Sequence, residues 1–240
     1  MKMMVLLLFF TFPLREVVNI ELSIPTEQHH IFYNYSNDNF SQRIIRRKNG
    51  EITVHIENSN YFKLNLNFRI LPQSEVLDSL HPEVKKVTLQ LIADSTTFKS
   101  YFQRISFFLK SSISYSDDNL PQDVISVILN KKANCVGYSN LICLLLDAVG
   151  MKNRMVRGFY LREIKIKGIN GSRQVNSKML IPVPHRWIEI YLSNGVKIFY
   201  DPQYQNFSAN YLAARHDVKF NKINRFSVKL IKISRKIINK

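Results

Sequence analysis

The sequence predicts an α+β fold in which a cysteine-bearing helix packs against an antiparallel sheet, with a small β unit ahead of them. Three observations predict it. Apolar residues alternate with polar ones in short runs across residues 20–71, recur at helical spacing from Pro82 to Gly150, and alternate again across residues 155–161 and 185–201. The chain has 240 residues, 45% of them hydrophobic and only seven of them glycine. That composition supports an ordered core and excludes a disordered or collagen-like chain. Four segments are expected: residues 1–18 as a signal or anchor, 19–75 as the β unit, 76–215 as the main domain and 216–240 as a basic tail.

At the N-terminus, Met1-Lys2 precedes an apolar run from Met3 to Phe12, closed by Pro13 and Arg15. One basic residue and about ten apolar ones fit the n- and h-regions of a secretory signal and are too short to span a bilayer. Export to a bacterial periplasm or envelope follows. An uncleaved interfacial anchor, or a plain first strand in a cytoplasmic protein, is the competing reading.

Ile52, Val54 and Ile56 alternate, as do Leu64, Leu66 and Phe68 within Tyr61 to Ile70, and turn residues fall at Asn37 to Asn39 and at Asn49-Gly50. These stretches read as strands. The period then changes. Val84, Val87, Leu91 and Ile92 share one helical face, and Phe98, Tyr101, Phe102, Ile105, Phe108 and Leu109 share another, which predicts two successive helices. Pro121, a favoured first helical residue, opens a third that runs to about Leu129. Asn134 is a good N-cap, Leu141, Leu144, Leu145 and Ala148 form an apolar stripe, and Gly150 suits the left-handed position after a helix. Cys135 is then the first residue of a buried helix.

Met155 to Leu161 reads as a strand, residues 163–184 as a basic loop, and His185 to Leu192 with Val196 to Asp201 as a hairpin around Ser193-Asn194-Gly195. Register decides what this hairpin can do. A three-residue loop with Gly195 left-handed opposes Leu192 to Val196 and puts His185 and Asp201 on one face as diagonal neighbours. A two-residue Asn194-Gly195 loop puts Asp201 on the opposite face.

Thirty-four Lys and Arg against 18 Asp and Glu give a net charge of +16, which suggests an anionic partner. The abundance of Ile, Asn and Lys together, as an AT-rich genome produces, makes a surface basic without one. Residues 218–240 carry six Lys and two Arg with no acid. As a helix this tail is an amphipathic binder of anionic lipid or polymer; as a strand, the favoured reading, it edges a sheet with solvated lysines. No motif of a sequence-specific nucleic-acid reader is present.

A thiol is nucleophilic when ionised, and a helix N-terminus favours the thiolate. Cys135 occupies such a place, where neighbouring N–H groups can hold an oxyanion and Gly137 keeps bulk away from it. Cys143, about 12 Å along the same helix, is out of disulfide reach and reads as a core residue. His29-His30, His55, His81 and His216 lack ligand spacing, so no metal and no cofactor are expected. Trp187 and Glu189 share the His185 face, with cross-strand packing favoured over a wall of the site; Tyr115 and Tyr138 are candidates to border the cleft.

Three runs in order, residues 134–160 (NCVGYSNLICLLLDAVGMKNRMVRGFY), 185–191 (HRWIEIY) and 199–202 (FYDP), resemble the transglutaminase-like superfamily of papain-related thiol enzymes. The resemblance covers about residues 81–205, Ile113 to Tyr115 included. It implies a papain-like core with Cys135 as nucleophile, His185 as general base and acid, and Asp201 orienting the ring; Trp187, Tyr138 and Gly137 are the candidate substrate-binding residues beside them. The implied reaction is acyl transfer or hydrolysis of a peptide or carboxamide bond through a thioester. The competing class is a non-catalytic module that holds a polypeptide or envelope polymer in the same groove. Two positions depart from the family pattern. Asn134 stands where Gly is usual, and Arg186 follows the histidine where a small residue is common.

Overall fold

The computed structural model describes residues 16–25, 31–46, 51–59, 66–170, 173–192, 195–205, 211–215 and 229–237. Residues 1–15 of the signal or anchor segment expected at 1–18, the start of the tail, and the Asn49-Gly50 turn lie outside them, whereas residues 16–18 belong to the first strand. Among the described residues no helix is long and apolar enough to cross a membrane.

The first sheet is antiparallel, with β1 (Glu16–Pro25), β2 (Tyr35–Ser36), β3 (Phe40–Arg46) and β4 (Glu51–Ser59) joined by β11 (Lys229–Ile237) from the far end of the chain, in the order β11-β1-β4-β3-β2. Its inner face is set by pairs across β1 and β4: Ile20 opposite Ile56, Leu22 opposite Val54 and Ile24 opposite Ile52, all six buried. Period-two alternation therefore has its expected cause, one packed face. Phe68, read as a strand residue, instead stacks on Phe98 at 5.1 Å between ring centroids. Leu66 and Phe68 offer their carbonyls to the N–H groups of Lys99 and Phe98, at 2.9 Å each. That stretch serves a helix start rather than a ladder; Tyr61 to Asn65 lie outside the described residues.

Five helices follow: α1 (Ser74–Asp78), α2 (Pro82–Ala93), α3 (Phe98–Ser112), α4 (Val124–Asn130) and α5 (Cys135–Asp147). Thr97 and Ser100 make a reciprocal capping box at the start of α3. Asp123, not Pro121, sets the start of α4, because its carboxylate accepts the N–H of Ser126 at 2.9 Å. Two short strands, β5 (Ser114–Tyr115) and β6 (Lys132–Ala133), pair in parallel just ahead of α5.

The second sheet has β7 (Asn153–Asn170), β8 (Arg173–Tyr191), β9 (Lys197–Tyr200) and β10 (Tyr211–Ala214) in the order β10-β7-β8-β9. Residues 163–184, read as a loop, are the outer part of the long β7–β8 hairpin, paired from Glu163 with Leu180 to Asn170 with Arg173. Ile164 and Ile166 do alternate with Lys165 and Lys167, and that period-two pattern outweighs the basic composition on which the loop reading rests. One face of this sheet, with Val156, Trp187, Phe199 and Tyr211, shares a core with the first sheet. The other, with Ile188, Ile190, Ile198 and Tyr200, shares a core with α3 and α5. The layers are thus sheet, sheet and helices.

β11 (Lys229–Ile237) pairs antiparallel with β1 at the sheet edge. The described part of the tail is a strand, and Lys232 and Ser234 on it are exposed.

Candidate functional site

The site begins with the cap of α5. Asn134 Oδ1 accepts the N–H groups of Val136 at 2.9 Å and Gly137 at 3.4 Å. Its own N–H donates to Gln122 Oε1 at 2.9 Å, and Asn140 Nδ2 donates to the Gln122 carbonyl at 2.8 Å. Gln122 thereby clamps the first turn of α5 and fixes Cys135, which is half-buried at the first helical position. Asn134 is explained by this arrangement: its side chain caps donors that a glycine leaves to solvent. Tyr115, opposite Ala133 in the parallel pair, lies within electrostatic reach of Cys135 and is half exposed, with its hydroxyl donated to Asp117.

The β8–β9 hairpin brings the other two groups. Ile188 opposes Tyr200, Glu189 Phe199, Ile190 Ile198 and Tyr191 Lys197, which is the three-residue-loop register. Gly195 takes φ +81, a left-handed position that glycine fills without penalty, while Ser193 and Asn194 lie outside the described residues. His185 Nε2 lies 2.6 Å from Asp201 Oδ2, with the two side chains 5% and 0% exposed. The Cys135 thiol lies within electrostatic reach of the same ring and acts with Asp201 on its titration. With Nε2 committed to Asp201, Nδ1 is the ring nitrogen left for the sulfur.

Asp201 is held from three further directions. Its Oδ1 accepts the backbone N–H of Gln203 at 2.9 Å and of Tyr204 at 3.3 Å, and the Tyr211 hydroxyl donates to Oδ2. Tyrosines surround the imidazole: Tyr204 stacks at 5.6 Å and 26°, with Tyr211 at 5.8 Å and Tyr160 at 6.0 Å. Burial alone pulls the pKa of the ring down; the hydrogen bonds and charges of Asp201 and Cys135 outweigh it and raise the value to about 9. Burial, then the charge of Asp201 and the hydrogen bond to it, push the Tyr211 phenol well above its ordinary range, so it stays a neutral donor.

Cys135, His185 and Asp201 therefore meet, but the three residues expected at the substrate are elsewhere. Trp187 is fully buried, at 5.4 Å from Phe199 and 5.2 Å from Tyr211 between centroids; it packs the sheet-to-sheet core and presents no surface. Tyr138 is buried with its hydroxyl donated to the Ile113 carbonyl at 2.8 Å, tying α5 to β5. Gly137 does not open an oxyanion pocket. A Cβ there meets Gln122 Oε1 at 2.4 Å, Val127 Cγ2 at 2.8 Å and Ala133 Cβ at 3.0 Å, so glycine permits close packing. Glu189, also on the His185 face, is buried and bound to Arg154 at 2.9 Å and Tyr35 at 2.7 Å.

Arg186 lies on the strand face opposite His185, as alternation requires. That is the face α5 covers, and Arg186 is within electrostatic reach of Cys135. Sequence reasoning missed Tyr204, Tyr211 and Gln122, which no motif marks. Gly158, opposite His185, did carry a signal, since an isolated glycine in a strand marks close approach: a Cβ there lies 2.1 Å from the Leu212 carbonyl oxygen. Among the described residues no group of three His, Cys, Asp or Glu could hold a metal ion.

Residues 85–202, which carry all three converging groups, match the family model of the transglutaminase-like superfamily. This segment belongs to that superfamily. Catalysis there is often cysteine-dependent, and its members include cysteine proteases and transglutaminases. No curated protein matches the chain. Among solved structures, a candidate cysteine protease from Cytophaga hutchinsonii aligns over 94% of this chain and 90% of its own, at 10% identity and TM-score 0.45. The periplasmic domain of TgpA from Pseudomonas aeruginosa aligns over 80% and 90%, at 11% identity and TM-score 0.41. A TGase aligns over 77% of this chain and 46% of its own, at 15% identity and TM-score 0.35.

Proposed function

We propose that the protein is a cysteine-dependent hydrolase of peptide or carboxamide bonds, working through a Cys135–His185–Asp201 triad and a thioester. One observation carries this reading: a single buried imidazole is hydrogen-bonded to a buried carboxylate and lies within electrostatic reach of the sulfur at the start of α5. Asp201 fixes the tautomer and the plane of the ring, and Tyr211 and the turn N–H groups fix Asp201.

In the acylation step the Cys135 sulfur attacks the scissile carbonyl carbon, its proton being held by His185, which is protonated at neutral pH with a pKa of about 9. The tetrahedral intermediate collapses, the C–N bond breaks, and His185 returns that proton to the leaving amine. A His185 pKa of about 9 suits this acid role, because the ring gives up its proton only as the amine acquires basicity. Water then attacks the thioester; His185 takes the water's proton and delivers it to the sulfur as the acid product leaves. A polypeptide substrate and an exported location, read from residues 1–12, belong to the same proposal.

The test is acid quenching of the protein with a mixed tryptic peptide pool, followed by intact-mass measurement. An adduct on Cys135 that hydroxylamine removes is expected. Its absence, or its persistence in Cys135→Ala, contradicts the reading.

A further inference from the structure

Arg186 follows His185 on β8, and the register sets Arg157 of β7 directly opposite it. The next residues of β8 on that face, Ile188 and Ile190, pack in one cluster with Leu141, Ile142 and Leu145 of α5. The direction along the helix is fixed at both ends. Asn153, opposite Ile190, donates to the Cys143 carbonyl at 3.3 Å and to Asp147 Oδ1 at 2.7 Å, near the C-terminus of α5, whereas His185 lies within electrostatic reach of Cys135 at its start. Arg186 therefore stands where the strand face meets the Cys135 end of α5.

Like charges placed opposite each other on one face of a ladder repel. Both arginines are half-buried, and among the described residues no carboxylate pairs with Arg186. Burial first, then Arg157, lowers the pKa of Arg186, and Cys135 acts in the other direction. Arg154, on the other face of β7, shows the contrast: it is spent on Glu189 at 2.9 Å. A half-buried guanidinium without a protein anion keeps a planar fork of donors that matches a carboxylate.

We propose that Arg186 forms an anion-recognising subsite beside Cys135 that selects acyl donors carrying a carboxylate next to the scissile carbonyl. The selectivity rests on the proposed nucleophilic role of Cys135.

Two alkylating agents of similar size and different charge test it: iodoacetate and iodoacetamide, with modification of Cys135 followed by peptide mass. The expected ratio of the iodoacetate to the iodoacetamide rate exceeds that of a free-thiol peptide. It falls roughly fivefold in Arg186→Gln, the order for one charge acting across a partly desolvated gap, and is largely kept in Arg186→Lys. An unchanged ratio in Arg186→Gln overturns the subsite. Should that variant not fold, the wild-type ratio decides: it must shrink in 1 M KCl, and indifference to salt also overturns the proposal. Slow reaction of Cys135 with iodoacetamide itself is a separate result, counting against the nucleophile and leaving the ratio to report on Arg186.

Discussion

Asp201→Asn is the substitution that reads the site most finely. His185 is buried, which by itself lowers its pKa, yet Asp201 and Cys135 raise it from 6.5 to about 9. The difference corresponds to about 3 kcal/mol of preference for the protonated ring, after the burial penalty has been met. An amide at position 201 keeps the shape and one acceptor but loses the charge. A neighbouring carboxylate moves its partner by about 1–3 pH units, so the ring in Asp201→Asn titrates at about 6–8. Because the folded pKa lies above the unfolded one, this stabilisation is fully present below pH 6.5 and is lost as pH rises through about 9. Wild-type protein should lose up to about 3 kcal/mol from this group across that window, and Asp201→Asn should lose much less. Proton NMR of the His185 ring and urea unfolding from pH 6 to 10 give the two readings. A ring in Asp201→Asn that still titrates near 9 refutes the reasoning.

Three further substitutions have opposed or separable outcomes. Tyr211→Phe removes a donor to Asp201 Oδ2 and should leave His185 titrating at or above about 9, the reverse of Asp201→Asn; a fall contradicts the placement of Tyr211. Gly137→Ala forces a Cβ to within 2.8 Å of Val127 and 3.0 Å of Ala133 and should cost about 1–3 kcal/mol in urea unfolding, with no cost meaning the packing has been misjudged. Glu189→Gln removes the charge that Arg154 and Tyr35 share at 2.9 and 2.7 Å; a loss of about 2 kcal/mol is expected, and an unaltered midpoint speaks against that buried network.

Much of this site was legible because its determinants are local. The cap at Asn134, the stripe on α5 and the Gly195 turn each fix a short piece of backbone, and the turn alone fixes a register that carries Asp201 to the face of His185. The resemblance then tied three such pieces together. What sequence hid depends on distant partners. Trp187 looks the same whether its face meets substrate or another sheet, and only the arrival of Ile24, Ile52 and Phe40 from the first sheet makes that face a core. Gly137 invites an oxyanion role at a helix start until Gln122 and Val127 occupy the space. Tyr211 meets Asp201 because β10 pairs with β7, setting Tyr211 opposite Tyr160. The β7–β8 arm reads as a loop only if its charge is weighed above its pattern, since Ile164 and Ile166 alternate with Lys165 and Lys167 as a strand requires.

The central claim is that Cys135 owes its chemistry to His185, and the chain carries its own control. Burial and the charge of Asp147 push the Cys143 thiol up to about 12, so it should be inert at neutral pH. The direct measurement is the rate of iodoacetamide labelling of Cys135 and Cys143 at pH 7, resolved by peptide mass, in wild type and His185→Ala. Cys135 should react far faster than Cys143 in the wild type and should lose most of that lead in the variant. Equal rates at the two cysteines, or a lead that survives the loss of His185, contradict the account.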